Sequence, residues 1–448
     1  MSNTLPNPSE SAEKLEAVCQ RLLELARRNG ADAAEVVAEV DQGFDIQVRL
    51  GEVETLEHTR NKGISVTVYH GQRKGSASTG DTRDESLIAT VEQACQIARF
   101  TQPDEYCGLA DPERLATDFP DLSLDHPWDI SPQQAIDLAL AMEAAGREAD
   151  RRIENSDGAG VATERSVAVL ANSHGFMGRR ITSAHSMSCV LIARDDKGMQ
   201  RDFYYTAARN PLHLLNGEEV GKEAARRTLA HLGARSLGTC KTPVLFAPEL
   251  ARGLIGHLVS AVSGGSQYRQ SSFLLDQLGK TVASPCLSLL EQPFLPEAFG
   301  STPFDMEGVA PMERALLSDG VLNGYVLSSY SARRLGMQTT GNAGGVHNLT
   351  AAAGELDQAG LLKEMGTGFL ATSVMGQGVN IVTGDYSRGA SGFWVENGEI
   401  AYPVQEVTIA GNLADMLTSI RAIGSDIDTR GNIRSGSMLI DGMTLAGN

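Results

Sequence analysis

The chain has 448 residues, 42% of them hydrophobic and 21% charged, which is ordinary for a soluble globular protein and long enough for two or three domains. A formal net charge of −18 repels phosphate backbones and argues against direct nucleic-acid binding. No apolar run reaches the length that crosses a bilayer, which argues against a helical membrane protein.

The 47 glycines and only 5% aromatic residues fit a β-rich chain with many turns. The start, MSNTLPNPSESAEK, has no basic opening and no apolar core, so it does not read as a secretory signal. Six cysteines, Cys19, Cys95, Cys107, Cys189, Cys240 and Cys286, are scattered without a C-x-x-C pair and are expected as reduced thiols. The expected compartment is the cytoplasm.

Residues 1–8 read as a loose tail. Ser9 or Ser11 is expected to cap a helix with Leu15, Val18, Leu22, Leu23 and Ala26 on one face, ending at Gly30. Alternating runs predict strands over 34–40, 44–50, 53–60 and 64–70. Thr82 opens a second amphipathic helix through Phe100, burying Leu87, Val91, Ala94 and Ala98. Residues 103–128, with four prolines and many aspartates, read as a surface linker. Ser131-Pro132 is a good N-cap and first-turn pair for a helix to about Arg151. Strands are expected over 152–161, 166–172, 177–181, 183–193 and 202–207, with His174-Gly175 a turn. A polar helix over 217–232 stops at Gly233. Its Arg226-Arg227 pair, like Arg333-Arg334 further on, reads as a solvated helix face.

A new domain opens near Thr239 with a short strand over 243–247 and a helix from Pro248, whose apolar face carries Leu254, Ile255, Leu258, Val259 and Val262. Asp319-Gly320 joins runs at 312–317 and 321–327 into a hairpin. Gly341-Asn342-Ala343-Gly344-Gly345 reads as an irregular loop that is a candidate to face a ligand. In 366–416 three apolar runs, 379–382, 392–395 and 400–404, are separated by turn residues. Asn397-Gly398, which tolerates positive φ at both central positions, marks a tight hairpin. The fold class is therefore α+β: a tail (1–8), an N-terminal α/β module with its linker (9–128), a second α/β subregion (129–236), and a β-rich, Gly-rich C-terminal domain around a buried helix (237–448).

The order GQGVNIVTGDYSRGASGFWVENGEIAYPVQEVTIAGNL resembles the C-terminal region of the TldD/PmbA family, closer to its PmbA (TldE) branch, and the similarity extends from about Ala31 to Leu445. Those bacterial and archaeal proteins are implicated in peptide processing and were once described as modulators of DNA gyrase. The resemblance implies a metalloprotease family in which a TldD-like chain carries zinc on a helical H-E-x-x-x-H motif, with a cysteine near its C-terminus as a further ligand. The comparable helix here reads LARGLIGHLVSAVSGGSQYRQSS. It has one histidine, His257, with no glutamate after it and no second histidine. No cysteine follows Cys286, and the comparable tail reads TRGNIRSGSMLIDGM.

A catalytic zinc normally needs three protein ligands. The nine histidines, from His58 to His347, are dispersed, and none pairs with another at helical spacing. His257 alone reads as a packed or solvent-bridged histidine. There is no G-x-S-x-G elbow, and nothing marks Cys240 or Cys286 as an activated thiol. No catalytic or metal-binding residue is assigned to this chain, and no cofactor is expected in it; zinc is expected in a TldD-like partner.

The resemblance implies a PmbA/TldE-like subunit that completes a heteromeric peptidase acting on unfolded peptides. The chain by itself is expected to form a two-fold homodimer. Candidate peptide- or partner-facing residues are Arg334, Asn342, His347, Asn348, Gln377, Arg388 and Phe393. Two alternatives stay open: a self-sufficient metallopeptidase with ligands drawn from distant positions, and a non-enzymatic peptide- or gyrase-associated binding protein.

Overall fold

The computed structural model describes residues 7–447. Its first half is built on one six-stranded antiparallel sheet. The strands are β1 (Ala33–Arg49), β2 (Glu52–His70), β3 (Arg73–Thr79), β4 (Ile153–Asn172), β5 (Met177–Asp195) and β6 (Gly198–Ala208), in the order β3-β2-β1-β4-β5-β6. Four helices accompany them: α1 (Pro8–Arg28), α2 (Asp84–Phe100), α3 (Pro132–Arg147) and α4 (Gly217–Ala230).

Strand periodicity explains how the helices sit. Val36 and Ala38 of β1 pack with α1 and α2, and Phe44, Ile46 and Val48 pack with α3 and α4. All five lie at even positions of one strand, hence on one face. The helix pairs therefore cover two ends of the same face. Part of the opposite face carries Val37, Leu170 and Phe176, which pack with Leu115 and Ala116 of the linker and Phe304 of the second half.

The structure corrects several expectations here. The caps expected at Ser9 or Ser11 belong to Asn7, whose side chain accepts from Ser9 N. Of the tail expected at 1–8, residues 1–6 lie outside the described residues, whereas Asn7 and Pro8 are the N-cap and first residue of α1. The four strands expected between 34 and 70 are two long ones, and the pieces expected within 152–193 likewise merge into β4 and β5. Asp41-Gln42-Gly43 looks like a turn, yet β1 runs through it. A Cβ at Gly43 would lie 2.0 Å from the Thr163 carbonyl oxygen, so this glycine admits the backbone of β4. Of the two arginine pairs, Arg226 is solvated, whereas Arg227 is mostly buried, with side-chain exposures of 68% and 19%. Arg333 also departs from a solvated face: its Nη2 donates to Leu109 O at 2.5 Å and Asp111 Oδ1 at 2.7 Å, tying the linker down.

The second half opens with β7 (Cys240–Phe246), α5 (Pro248–Ala261) and α6 (Gly264–Tyr268). A small sheet follows from β8 (Leu289–Glu291), β9 (Arg314–Ser318) and β10 (Val321–Leu322); then come α7 (Ser329–Arg334), β11 (Leu349–Ala351) and α8 (Gln358–Met365). The last stretch holds β12 (Gly368–Met375), β13 (Asp385–Glu396), β14 (Glu399–Asn412), α9 (Leu413–Thr418), β15 (Ile420–Ile423), β16 (Ile433–Arg434) and β17 (Met438–Ala446). The large sheet runs β14-β13-β12-β7-β17-β15, and a further β14–β17 pairing closes five of these strands into a ring.

Helix α5 packs on this sheet. Leu254, Ile255 and Leu258 join Val244, Phe246, Phe369 and Ile409 in the largest core, while Leu245, Leu370 and Val395 face α8 on the other side. The expected Asn397-Gly398 turn joins β13 to β14, with φ of 54° and 79°. The run at 379–382 is not a strand. Val379 makes one bridge to Tyr386, and Asn380 N donates to Asp385 O across a turn. The strand that precedes it, β12, was unmarked in the sequence. Among the described residues no helix is long and apolar enough to cross a membrane.

Candidate functional site

A cleft of about 680 Å³ opens where the two halves meet. Its walls come from β6, α4, the start of α5, the start of α8, β12, β13, β14 and the 426–430 loop. Helix polarity places two of its charges: Arg227 occupies the last turn of α4 and Glu249 the first turn of α5, each at the helix end that its charge favours.

A web of ion pairs spans the cleft. Arg227 Nη1 donates to Glu249 Oε1 at 3.0 Å, and its Nε donates to Asp202 Oδ2 at 3.4 Å. Glu249 Oε1 also accepts from Arg430 Nη2 at 3.3 Å. Arg430 Nε donates to Asp428 Oδ1 at 2.8 Å, and Arg252 lies 3.5 Å from the other oxygen of that carboxylate. The Arg430 guanidinium sits 4.3 Å over the Tyr205 ring. Burial, the largest influence, pushes the Asp202 carboxyl up, but the hydrogen bond with His231 and the charge of Arg227 outweigh it and hold the group below the ordinary range. Asp428 behaves alike: burial raises it, and the bonds and charge from Arg430 bring it below. Both carboxylates are thus ionised at neutral pH.

An apolar shelf lies beside this web. The His231 ring, at the C-cap of α4, stacks on Phe393 at 4.8 Å between centroids. Beyond it runs the β14 edge. Residues 399–402 pair with β13 on one side. The other side is engaged only further along, by Arg235 at 403–405 and by β17 at 408–410. Among the described residues, 399–402 has no second strand partner. An open backbone edge facing a polar cleft is the geometry for strand addition by an extended peptide.

Of the seven candidate residues, the structure brings Phe393 to this cleft and places the other six elsewhere. Arg334 is clamped between the rings of Tyr106 and Tyr268, at 4.9 and 5.0 Å, beside a separate cavity of about 670 Å³. Asn342 and His347 are buried against Glu291. Asn342 Nδ2 and the His347 backbone N–H both donate to Glu291 Oε1, at 2.6 and 2.8 Å, and Arg314 holds the other oxygen at 2.8 Å. Asn348 is fully buried and bonded to Gln292 O and Ser301 Oγ. Gln377 is exposed on the loop after β12, and Arg388 is half-buried on β13.

The residues around α5 do not fit a three-ligand zinc. The His257 ring meets the edge of Tyr386 at 6.2 Å, and burial first, then the nearby charge of Arg388, lowers its pKa. A guanidinium as the charged neighbour of a lone imidazole disfavours a cation there. Among the described residues, no three His, Cys, Asp or Glu side chains converge as a metal ion requires. Cys286, the last thiol, lies against Ser284 Oγ and the Ile420 and Arg421 carbonyls.

Profiles of the PmbA/TldA metallopeptidases match in three consecutive blocks: domain 1 over residues 34–98, the central domain over 125–232, and the C-terminal domain over 239–447. The chain is 48% identical over 433 residues to Metalloprotease PmbA of Escherichia coli O157:H7, covering 97% of this chain and 96% of that one. It is 46% identical over 429 residues to a Metalloprotease PmbA homolog of Haemophilus influenzae, covering 95% and 94%. Among solved structures, a putative modulator of DNA gyrase from Bacteroides thetaiotaomicron superposes with a TM-score of 0.92 at 28% identity, covering 97% of this chain and 99% of that one. TldE from Thermococcus kodakarensis shares the fold, with a TM-score of 0.85 at 20% identity, covering 96% and 100%.

Proposed function

The chain belongs to the PmbA/TldA metallopeptidase family, and from that premise we propose that it is the non-zinc subunit of a two-chain peptidase for unfolded peptides. In this reading a TldD-like partner supplies the zinc and its activated water. This chain supplies the cleft, binding an extended peptide along residues 399–402 of β14 and gripping its polar groups through the Arg227–Glu249–Arg430 web. Folded proteins are refused because they offer no free strand to the edge. The isolated chain associates with itself about a two-fold axis.

The observation that carries the division of labour is the surrounding of His257: one imidazole, with an arginine as its charged neighbour. The test is cleavage of an unstructured peptide by this chain, by a TldD-like chain, and by the two mixed. Cleavage that appears or rises strongly on mixing is the expected result. Full cleavage by this chain alone overturns the assignment, and binding without cleavage in every mixture makes the chain a binding protein instead.

A further inference from the structure

Among the described residues, no element covers one half of the long β2 strand. It pairs with β1 along its whole length, but with β3 only over residues 64–70. Residues 52–63 therefore present an open backbone edge roughly 40 Å long, taking about 3.4 Å per residue. The edge is rigid at its far end. The turn at Leu50 and Gly51 donates both backbone N–H groups to the two oxygens of Glu143, a buried side chain on α3, each at 2.8 Å. Its apolar side chains are out in solvent: Leu56 is 41% exposed and Val53 47%.

Native sheets blunt such edges with charged side chains. Here the charge is segregated along the strand. Glu52, Glu54 and Glu57 come first; His58, Arg60 and Lys62 follow. An antiparallel copy of the same strand reverses that order, so acid meets base at both ends. The outline agrees. The end of β3 leaves a step beside Lys62, and a second copy laid antiparallel brings its own Leu50–Gly51 turn to that step.

We propose that residues 52–62 of β2 form a self-complementary interface, pairing antiparallel with the same strand of a second copy about a two-fold axis at Leu56. In this register Leu56 meets Leu56 of the second copy. Glu54 lies beside the copy's His58 and Glu52 beside its Arg60, and two six-stranded sheets join into one. The register shift between Gln47 and Val48, which leaves Glu54 as an extra residue against β1, bends the strand at the outer end of the contact without reaching its centre. The inference rests on the proposed self-association and names the surface that performs it.

The test uses the full chain. Light scattering at micromolar concentration is expected to report a dimer. Arg60→Glu with Lys62→Glu makes the edge acidic throughout and is expected to weaken self-association about tenfold or more. Adding Glu52→Lys restores opposite charges at the 52–60 pair, now in the reverse sense, and is expected to restore it. All three side chains are exposed, and unchanged thermal unfolding is the control for folding. In a Cys286→Ser background, which removes the exposed native thiol, Leu56→Cys is expected to form an intermolecular disulfide on mild oxidation, since directly opposed residues bring their Cβ atoms within about 5 Å. A wild-type monomer overturns both the self-association and this surface. A dimer indifferent to the half-reversal and unlinked by Leu56→Cys overturns the surface and leaves self-association standing. Capture only of a different chain or of a peptide by this edge likewise overturns the proposal.

Discussion

Replacing Arg430 with methionine should destabilise the protein by about 3 kcal/mol at neutral pH, chiefly through what it leaves behind. The Asp428 side chain is 3% exposed and loses its 2.8 Å partner, keeping Arg252 at 3.5 Å. Breaking a buried ion pair from one side costs about 3–5 kcal/mol. The residual arginine places the expectation at the lower end, although Glu249 also loses one of its two arginines. The double variant Asp428→Asn/Arg430→Met removes the stranded charge and should recover at least about 1 kcal/mol of the loss. The pH dependence follows in sign. Asp428 has a folded pKa below its unfolded one, so the pair contributes stability above the unfolded value, and that contribution fades as pH falls through the folded value. The gap between wild type and Arg430→Met should therefore narrow steadily in acid. Urea unfolding of the three proteins from neutral pH down to acid measures all of this. A single-variant loss under about 1 kcal/mol, or a double variant as unstable as the single, would refute the reasoning.

Three further outcomes follow from the same geometry. Phe393→Ala removes a buried ring stacked on His231 and should cost about 3–5 kcal/mol; Phe393→Leu, which keeps the bulk, should retain most of the stability while weakening peptide binding in a titration. Gly392→Ala should destabilise strongly, because a Cβ there would lie 1.9 Å from the Leu370 carbonyl oxygen; thermal unfolding close to wild type would show that the β12–β13 backbones can part at little cost. Arg334→Ala should lose about 1 kcal/mol of cation–π contact with Tyr106 and Tyr268 and leave peptide binding at the main cleft unchanged; a change in that binding would relocate the substrate path.

What the sequence disclosed was local. Asn397-Gly398 announced its hairpin, and Ser131-Pro132 announced α3, whose N-terminus is closed by a capping box between Ser131 and Gln134. These signals need only neighbouring residues. Strand continuity was hidden because Gly43 looks like punctuation until β4 lies against it. The cleft was hidden for a similar reason. Asp202, Arg227, Glu249 and Arg430 are spread over more than half the chain, and each alone resembles a surface charge. Arg227 differs from Arg226 only in the direction that it leaves α4, which no pattern of charge reveals. Phe393 was legible as a large apolar residue in a Gly-rich strand pair, whereas the burial of Asn342 and His347 depended on Glu291, a residue that stood out in no motif.

The most direct test of the central claim is the metal content of each chain in the co-purified, active assembly, determined by plasma mass spectrometry after the subunits are separated without chelators. The account predicts zinc near one equivalent in the TldD-like chain and only a trace in this one. Stoichiometric zinc retained by this chain, with peptide cleavage that follows its occupancy, would contradict it.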